Sequence, residues 1–251
     1  APEDRPRLQQ DGHPVHQFYN LSSFAEYMLV HEHALVKIRP DMPLDRAALI
    51  GCAVTTGVGA VTNTAQVEVG ATIAVIGCGG IGLSAINGAA ISGAGRIIAI
   101  DLNDSKLDTA RTFGATDTIN AATTDPVEAI REMTGGGVAY SFEAIGRKQT
   151  TEQAFRMLAT GGTATVIGMV PEGEMVEIEA ADLINDKTLR GSNMGSNRFR
   201  VDMPNYVDFY LDGRLKLDAM ISRRIGLEDV NDAFAEMKRG EFARSIITFD
   251  S

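Results

Sequence analysis

The sequence predicts an α/β domain organised on a doubly wound parallel sheet, with β-rich segments before and after it. Three observations carry this expectation. Apolar runs without polar alternation recur from residue 71 onward, segments of helical spacing separate them, and a glycine-rich loop joins the first run to the first helix. Strands that are apolar on both faces belong in a sheet covered on both faces, as parallel sheets are. Strands alternating with helices are joined by right-handed crossovers.

Taken in order, residues 24–30 and 34–38 have strand character and read as part of a β-rich module. Residues 45–65 are small and apolar, suited to helices packed closely on another element. The first buried strand is expected at 71–76, a small-residue helix at 81–92, and a second strand at 96–100. A helix at 105–113 ends at Gly114, and 116–120 supplies a third strand. Pro126 opens a helix that ends in Gly135-Gly136-Gly137, where helix-start proline and helix-end glycine belong. Strands at 138–142 and 163–167 flank a helix at 151–159, and 188–194 is a candidate sixth strand at a sheet edge. The last stretch holds an amphipathic helix at 230–239 and a strand at 245–249, a return to the β-rich module. The implied division is 1–53, 54–193 for the sheet domain, and 194–251.

Composition narrows the function classes. The chain has 251 residues, 44% of them hydrophobic and 22% charged, which is globular and neither disordered nor collagen-like. Its 23 basic and 33 acidic residues leave a formal charge of −10, unsuited to nucleic acid or an anionic membrane surface. A small-molecule partner is expected instead. No uninterrupted apolar run approaches the roughly 18 residues of a spanning helix, and Ala1-Pro2-Glu3-Asp4-Arg5 is too polar for a signal peptide, so no membrane association is expected. With only Cys52 and Cys78 there is no disulfide framework, and a cytoplasmic setting is expected.

Gly77-Cys78-Gly79-Gly80-Ile81-Gly82 is a G-x-G-x-x-G string between a predicted strand and a predicted helix. In that context Gly77 makes the tight turn, Gly79 lets the backbone approach a pyrophosphate, and Gly82 lets the helix pack on the strand. The helix N-terminus offers free N–H groups and its positive dipole end to phosphate. Asp101 ends the second strand about twenty residues later, where a carboxylate accepts from both ribose hydroxyls of an adenosine and repels a 2′-phosphate. The expected cofactor is therefore NAD. The alternative reading is a compact βα turn and a solvated acid. Lys106 either reaches the ribose or stays on the surface, and Cys78 reads as a small filler rather than a nucleophile.

Further residues carry a family resemblance. Gly51-Cys52-Ala-Val-Thr-Thr56-Gly57, the glycine loop, Asp101, Ser141-Phe-Glu-Ala-Ile-Gly146-Arg147 and Arg244-Ser-Ile-Ile-Thr-Phe249 together resemble the zinc-containing medium-chain alcohol dehydrogenases. The similarity runs from about Phe18 to the C-terminus and is nearest to the class III-like branch, which oxidises alcohols or thiol adducts of formaldehyde. It implies a Rossmann NAD-binding domain and part of a GroES-like catalytic domain. By that resemblance Cys52 is a ligand of the catalytic zinc and Thr56 a hydroxyl beside the nicotinamide. Ile81 and Ile167 pack on the nicotinamide side, Ala144 and Ile145 wall the adenine pocket, and Lys106 contacts the ribose. Arg244 reaches the pyrophosphate from the far end of the chain, and Arg147 is a weaker adenosine candidate. Taken alone, Cys52 would read as a buried small residue and Arg244 as solvated surface.

Catalytic zinc needs three protein ligands and an exchangeable position. The family's other two ligands, its proton relay and its four-cysteine lobe match nothing in this sequence, so a segment of a longer dehydrogenase with an incomplete zinc site is expected. His31 with His33, or His13 with His16, is a poor substitute. Met194, Met169 and Phe199 are candidate pocket residues. A homo-oligomer, dimer or tetramer, formed through the edge strand near 188–194 is expected. The competing functions are a catalytically inactive NAD-binding module and a zinc-independent quinone or enone reductase of the same superfamily; Cys52 counts against the latter.

Overall fold

The computed structural model describes residues 6–17, 21–239 and 244–249. Strands β1 (Leu8–Gln10) and β2 (His13–Val15) form an antiparallel hairpin whose residues are all exposed. The strands expected at 24–30 and 34–38 do not form; Glu32–Ala34 is a 3₁₀ turn and the remainder is irregular. Strand propensity is realised only when a neighbouring strand completes the ladder. Among the described residues no strand lies beside this segment, and Tyr27 stays 89% exposed.

Residues 44–65 form one continuous helical run made of α1 (Leu44–Leu49), a π-helical turn (Ile50–Val54), α2 (Thr55–Gly59) and a second π-helical stretch (Ala60–Ala65). The expected division at 53/54 falls inside this run. Asp45, Arg46 and a scatter of Thr and Asn break its apolar pattern in sequence, yet by length and composition it is apolar enough to cross a membrane. Here it is a core helix, with Val54, Val58 and Val61 fully buried.

The sheet domain follows. β3 (Thr72–Ile76) leads to α3 (Gly80–Ile91), then β4 (Arg96–Asp101), α4 (Asp104–Thr112) and β5 (Asp117–Asn120). After α5 (Pro126–Thr134) come β6 (Val138–Glu143), α6 (Lys148–Arg156), β7 (Leu158–Val166), α7 (Ala180–Ile184) and β8 (Thr188–Gly191). The strands lie in the order β5-β4-β3-β6-β7-β8 and every pair is parallel, so the doubly wound expectation is met. Local chemistry sets the boundaries. The Asp125 carboxylate caps α5 by accepting from Val127 N and Glu128 N, Pro126 fills its first turn, and Gly135 ends it at φ +72°. β7 starts five residues before the predicted strand because Val138 pairs with Leu158 across a register shift.

Side-chain alternation divides the core between the two sheet faces. Ile73, Val75, Ile97 and Ala99 join the 44–65 helix and α3 on one face. Ala74, Ile76, Ile98 and Ile100 meet Ile130, Phe155 and Leu158 on the other.

Beyond β8 the sequence reading misses α8 (Phe199–Leu211), which contains Pro204 and buries Tyr206 and Val207. β9 (Arg223–Ile225), α9 (Val230–Arg239) and β10 (Ser245–Ile247) complete the described chain, with β10 two residues shorter than expected and parallel to β9. Buried Asn87 on α3 pins this segment by donating to Arg214 O at 3.2 Å and accepting from Lys216 N at 2.9 Å.

Candidate functional site

The order of the strands reverses at β3, the place where an open α/β sheet leaves a crevice at its carboxyl edge. The glycine loop fills that edge. Gly77 adopts φ +97°, and Gly82 sits so close to the loop that a Cβ there would collide with the Gly77 carbonyl. Gly79 caps α3 and faces open space, so its backbone is accessible. Gly80 is covered by a guanidinium: a Cβ on it would lie 2.5 Å from Arg244 Nε. Arg244 precedes β10, and its backbone is held by Ser222. The far end of the chain thus places a cation over the N-terminus of α3.

Asp101 stands at the end of β4. Its Oδ2 accepts from Cys78 N at 2.8 Å and its Oδ1 from Asn103 N at 3.1 Å, so one carboxylate ties the glycine loop to the neighbouring strand end. The thiol of Cys78 is buried, and burial, followed by the Asp101 charge, pushes it up to about 12; it is inert filler. A cleft of about 400 Å³ runs across these strand ends, lined by Gly77, Gly79, Asp101, Lys106, Ala144 and Ile145, with Arg147 at its edge. Every adenosine-side residue named from the sequence is therefore in one cavity.

One member was missed. Glu143, at the end of β6, is fully buried; its Oε1 accepts from Ile145 N at 2.9 Å, Gly146 N at 2.8 Å and Thr150 Oγ1 at 2.7 Å. Its carbonyl accepts from Ile167 N and Gly168 N. It therefore shapes the 144–147 wall of the cleft and fixes the end of β7. The available signal was an acid closing the apolar run of β6 immediately before Ala-Ile-Gly.

The other end of the site forms around α2. Gly57 packs so tightly on α3 that a Cβ would collide with Ile81 O. Thr56 is buried, and its hydroxyl lies 3.7 Å from the Met194 sulfur. Ile167 is buried at the end of β7. Met169, a candidate pocket residue, is 92% exposed.

Cys52 lies in the first π-helical turn and is exposed rather than a buried small residue. Among the described residues no group of three or more His, Cys, Asp or Glu is placed to hold a metal. His31 and His33 touch each other, with ring centroids 4.8 Å apart, and His31 Nδ1 is engaged by the His33 amide. The described residues do not make a complete zinc site.

A family model described as zinc-binding dehydrogenase matches residues 80–212. The chain is 38% identical over 248 residues to an alcohol dehydrogenase class-3 of Cereibacter sphaeroides, an alignment covering 95% of this chain and 66% of that protein. It is also 38% identical over 247 residues to an S-(hydroxymethyl)glutathione dehydrogenase of Paracoccus denitrificans, with 95% and 66% covered. The crystal structure of an alcohol dehydrogenase zinc-binding domain protein from Burkholderia ambifaria superposes with a TM-score of 0.92 at 36% identity, over 96% of this chain and 65% of that one. The chain spans about two thirds of the length of these relatives.

Proposed function

Because this chain belongs to the zinc-containing alcohol dehydrogenase family, we propose that it binds NAD across the carboxyl ends of β3, β4 and β6 and serves hydride transfer between that cofactor and a primary alcohol or aldehyde. A thiol adduct of formaldehyde is within the substrate class, since one relative is named for such a compound. The observation that carries the reading is the opening of the glycine loop, at half-buried Gly79, onto the cleft that also holds the Asp101 carboxylate, with the Arg244 guanidinium against neighbouring Gly80.

In this reading the pyrophosphate lies on the N–H groups of Gly79 to Gly82, with Arg244 opposite them. Asp101 keeps lone pairs for the ribose hydroxyls while its loop contacts hold it in place, and Lys106 sits beside it. Ala144 and Ile145 flank the adenine. Thr56, Ile81 and Ile167 seat the nicotinamide and exclude water from its reacting face. Zinc, when bound, stabilises the alkoxide from which hydride leaves. Cys52 is the residue here that would ligate it, and no step is routed through a ligand set the described residues do not complete.

That single thiol favours a second reading, a nucleotide-binding unit without turnover of its own. We read residues 54–193 as the nucleotide domain, with 1–53 and 194–251 belonging to the catalytic module. A dimer or tetramer would join along the outer edge of β8, which pairs only with β7 among the described residues. Two unpaired cysteines suit a cytoplasmic setting.

The test is titration with NADH, followed by its fluorescence, and calorimetry with NADH and NADPH. Tight NADH binding is expected, and Asp101→Ser should weaken it about tenfold, the scale of a lost charge-assisted hydrogen bond, while narrowing the preference over NADPH. Calorimetry that detects no NADH binding overturns the proposal. Brisk zinc-dependent alcohol oxidation by this chain would overturn the second reading.

A further inference from the structure

The reaction end of the site is closed by a backbone feature that nucleotide binding leaves unexplained. Met194, Gly195 and Ser196 have φ of +48°, +64° and +47°, three successive left-handed residues. Two of them carry side chains that disfavour this region, so the surroundings must hold the turn.

The hold comes from the end of the helical run. Thr64 is buried, and its hydroxyl lies 2.8 Å from Ser192 Oγ and 2.8 Å from Ser196 Oγ, spanning the turn from one flank to the other. One hydroxyl can do both, donating to one serine and accepting from the other. Its neighbour Asn63 donates through Nδ2 to Gly195 O at 3.3 Å and to buried Asp202 at 3.1 Å. The turn is pressed onto the helix at Gly195, where a Cβ would lie 2.8 Å from Gly59 Cα. On its outer side Asn197 Nδ2 donates to Met194 O at 2.6 Å.

We propose that Thr64 is a positioning residue: its hydroxyl clasps Ser192 and Ser196, keeps Met194–Ser196 left-handed, and so seats the Met194 thioether against Thr56 at the nicotinamide end of the cofactor site. This rests on the NAD reading and deepens it. Thr64 acts through the turn, not on the cofactor, and the hydrogen bonds of its hydroxyl go to Ser192 and Ser196 rather than to the glycine loop or Asp101. Loss of its hydroxyl therefore disturbs one end of a bound dinucleotide and spares the other.

The experiment compares dissociation constants for NADH and for ADP, which occupies only the adenosine and phosphate end, in the wild type, Thr64→Val and Thr64→Ser, with thermal unfolding alongside. Thr64→Val should weaken NADH about fivefold, the scale of one lost buried hydrogen bond, and leave ADP within about twofold. Thr64→Ser keeps the hydroxyl and should match the wild type. Equal losses for both ligands, or none for either, overturn the proposal. Should Thr64→Val fail to fold, Ser196→Ala removes one arm of the clasp at an exposed residue; about a threefold loss confined to NADH supports the clasp, and any other pattern overturns it. A wild type that binds neither nucleotide overturns the NAD reading, and the role of the clasp falls with it.

Discussion

On the proposed NAD reading, the two ends of the cofactor cleft are built by different means. The adenosine end is made by consecutive backbone: a strand end, a glycine turn and a helix start within residues 72–91, with Asp101 and Glu143 closing the two neighbouring strands. The reaction end is made by side chains far apart in sequence, with Thr56 against Met194 and Thr64 against Ser192 and Ser196. One end is a property of βα geometry, and the other depends on how the 44–65 helix and the chain beyond β8 dock. The first should therefore yield only to changes that break backbone packing, and the second to the loss of single polar atoms.

The strongest way to break the first end is at Gly82. A methyl there meets the Gly77 carbonyl, a backbone atom with nowhere to go. Gly82→Ala should cost about 2–3 kcal/mol, lowering Tm by roughly 5–8 °C, and weaken ADP and NADH together by more than tenfold. Gly79→Ala sharpens the point, because its Cβ would meet nothing within 4 Å. Its Tm should stay within about 3 °C while affinity falls, since the new methyl occupies ligand space. Comparable thermal losses at both positions would refute the view that only Gly82 is a packing glycine.

Glu143 tests the same end through a side chain. Glu143→Ala leaves the part-buried Ile145 amide and the buried Gly146 amide without their acceptor and should cost about 2–3 kcal/mol. Glu143→Gln retains an acceptor oxygen and should cost about 1 kcal/mol or less. In contrast to Thr64→Val, both variants should weaken ADP and NADH in parallel, because the 144–147 wall belongs to the adenosine end. A loss confined to NADH would erase the distinction between the ends.

This division also explains what the sequence revealed. The glycine spacing, Asp101 and the Pro126–Gly135 helix were legible because each is a local rule of backbone and capping chemistry. The strands expected at 24–30 and 34–38 were misread because propensity cannot supply a pairing partner. α8 went unseen with Pro204 in its interior, where its packing of Tyr206 and Val207 into the core outweighs the lost N–H. Arg244 was reached only through family resemblance. The Thr64 clasp carries no local signal, since three hydroxyls at positions 64, 192 and 196 mean nothing until the fold brings them together.

The gentlest test acts on the docking that makes the reaction end. Asp45 in α1 accepts from Arg46, at 2.7 Å, and from Arg224 of β9, at 2.8 Å, joining the start of the helical run to the strand that pairs with β10 behind Arg244. Those hydrogen bonds hold its carboxyl at about 2, below the ordinary 3.8. A carboxyl lowered on folding stabilises the fold fully above its unfolded value and loses that contribution as pH falls toward the folded one. Asp45→Asn should thus cost about 1 kcal/mol at pH 7, the scale of a partly exposed ion pair, with the gap to wild type closing between pH 4 and about 2. Chemical denaturation at pH 7 and at pH 2.5 measures both gaps. A difference undiminished at the lower pH would mean that the side chain contributes through packing and not through its charge.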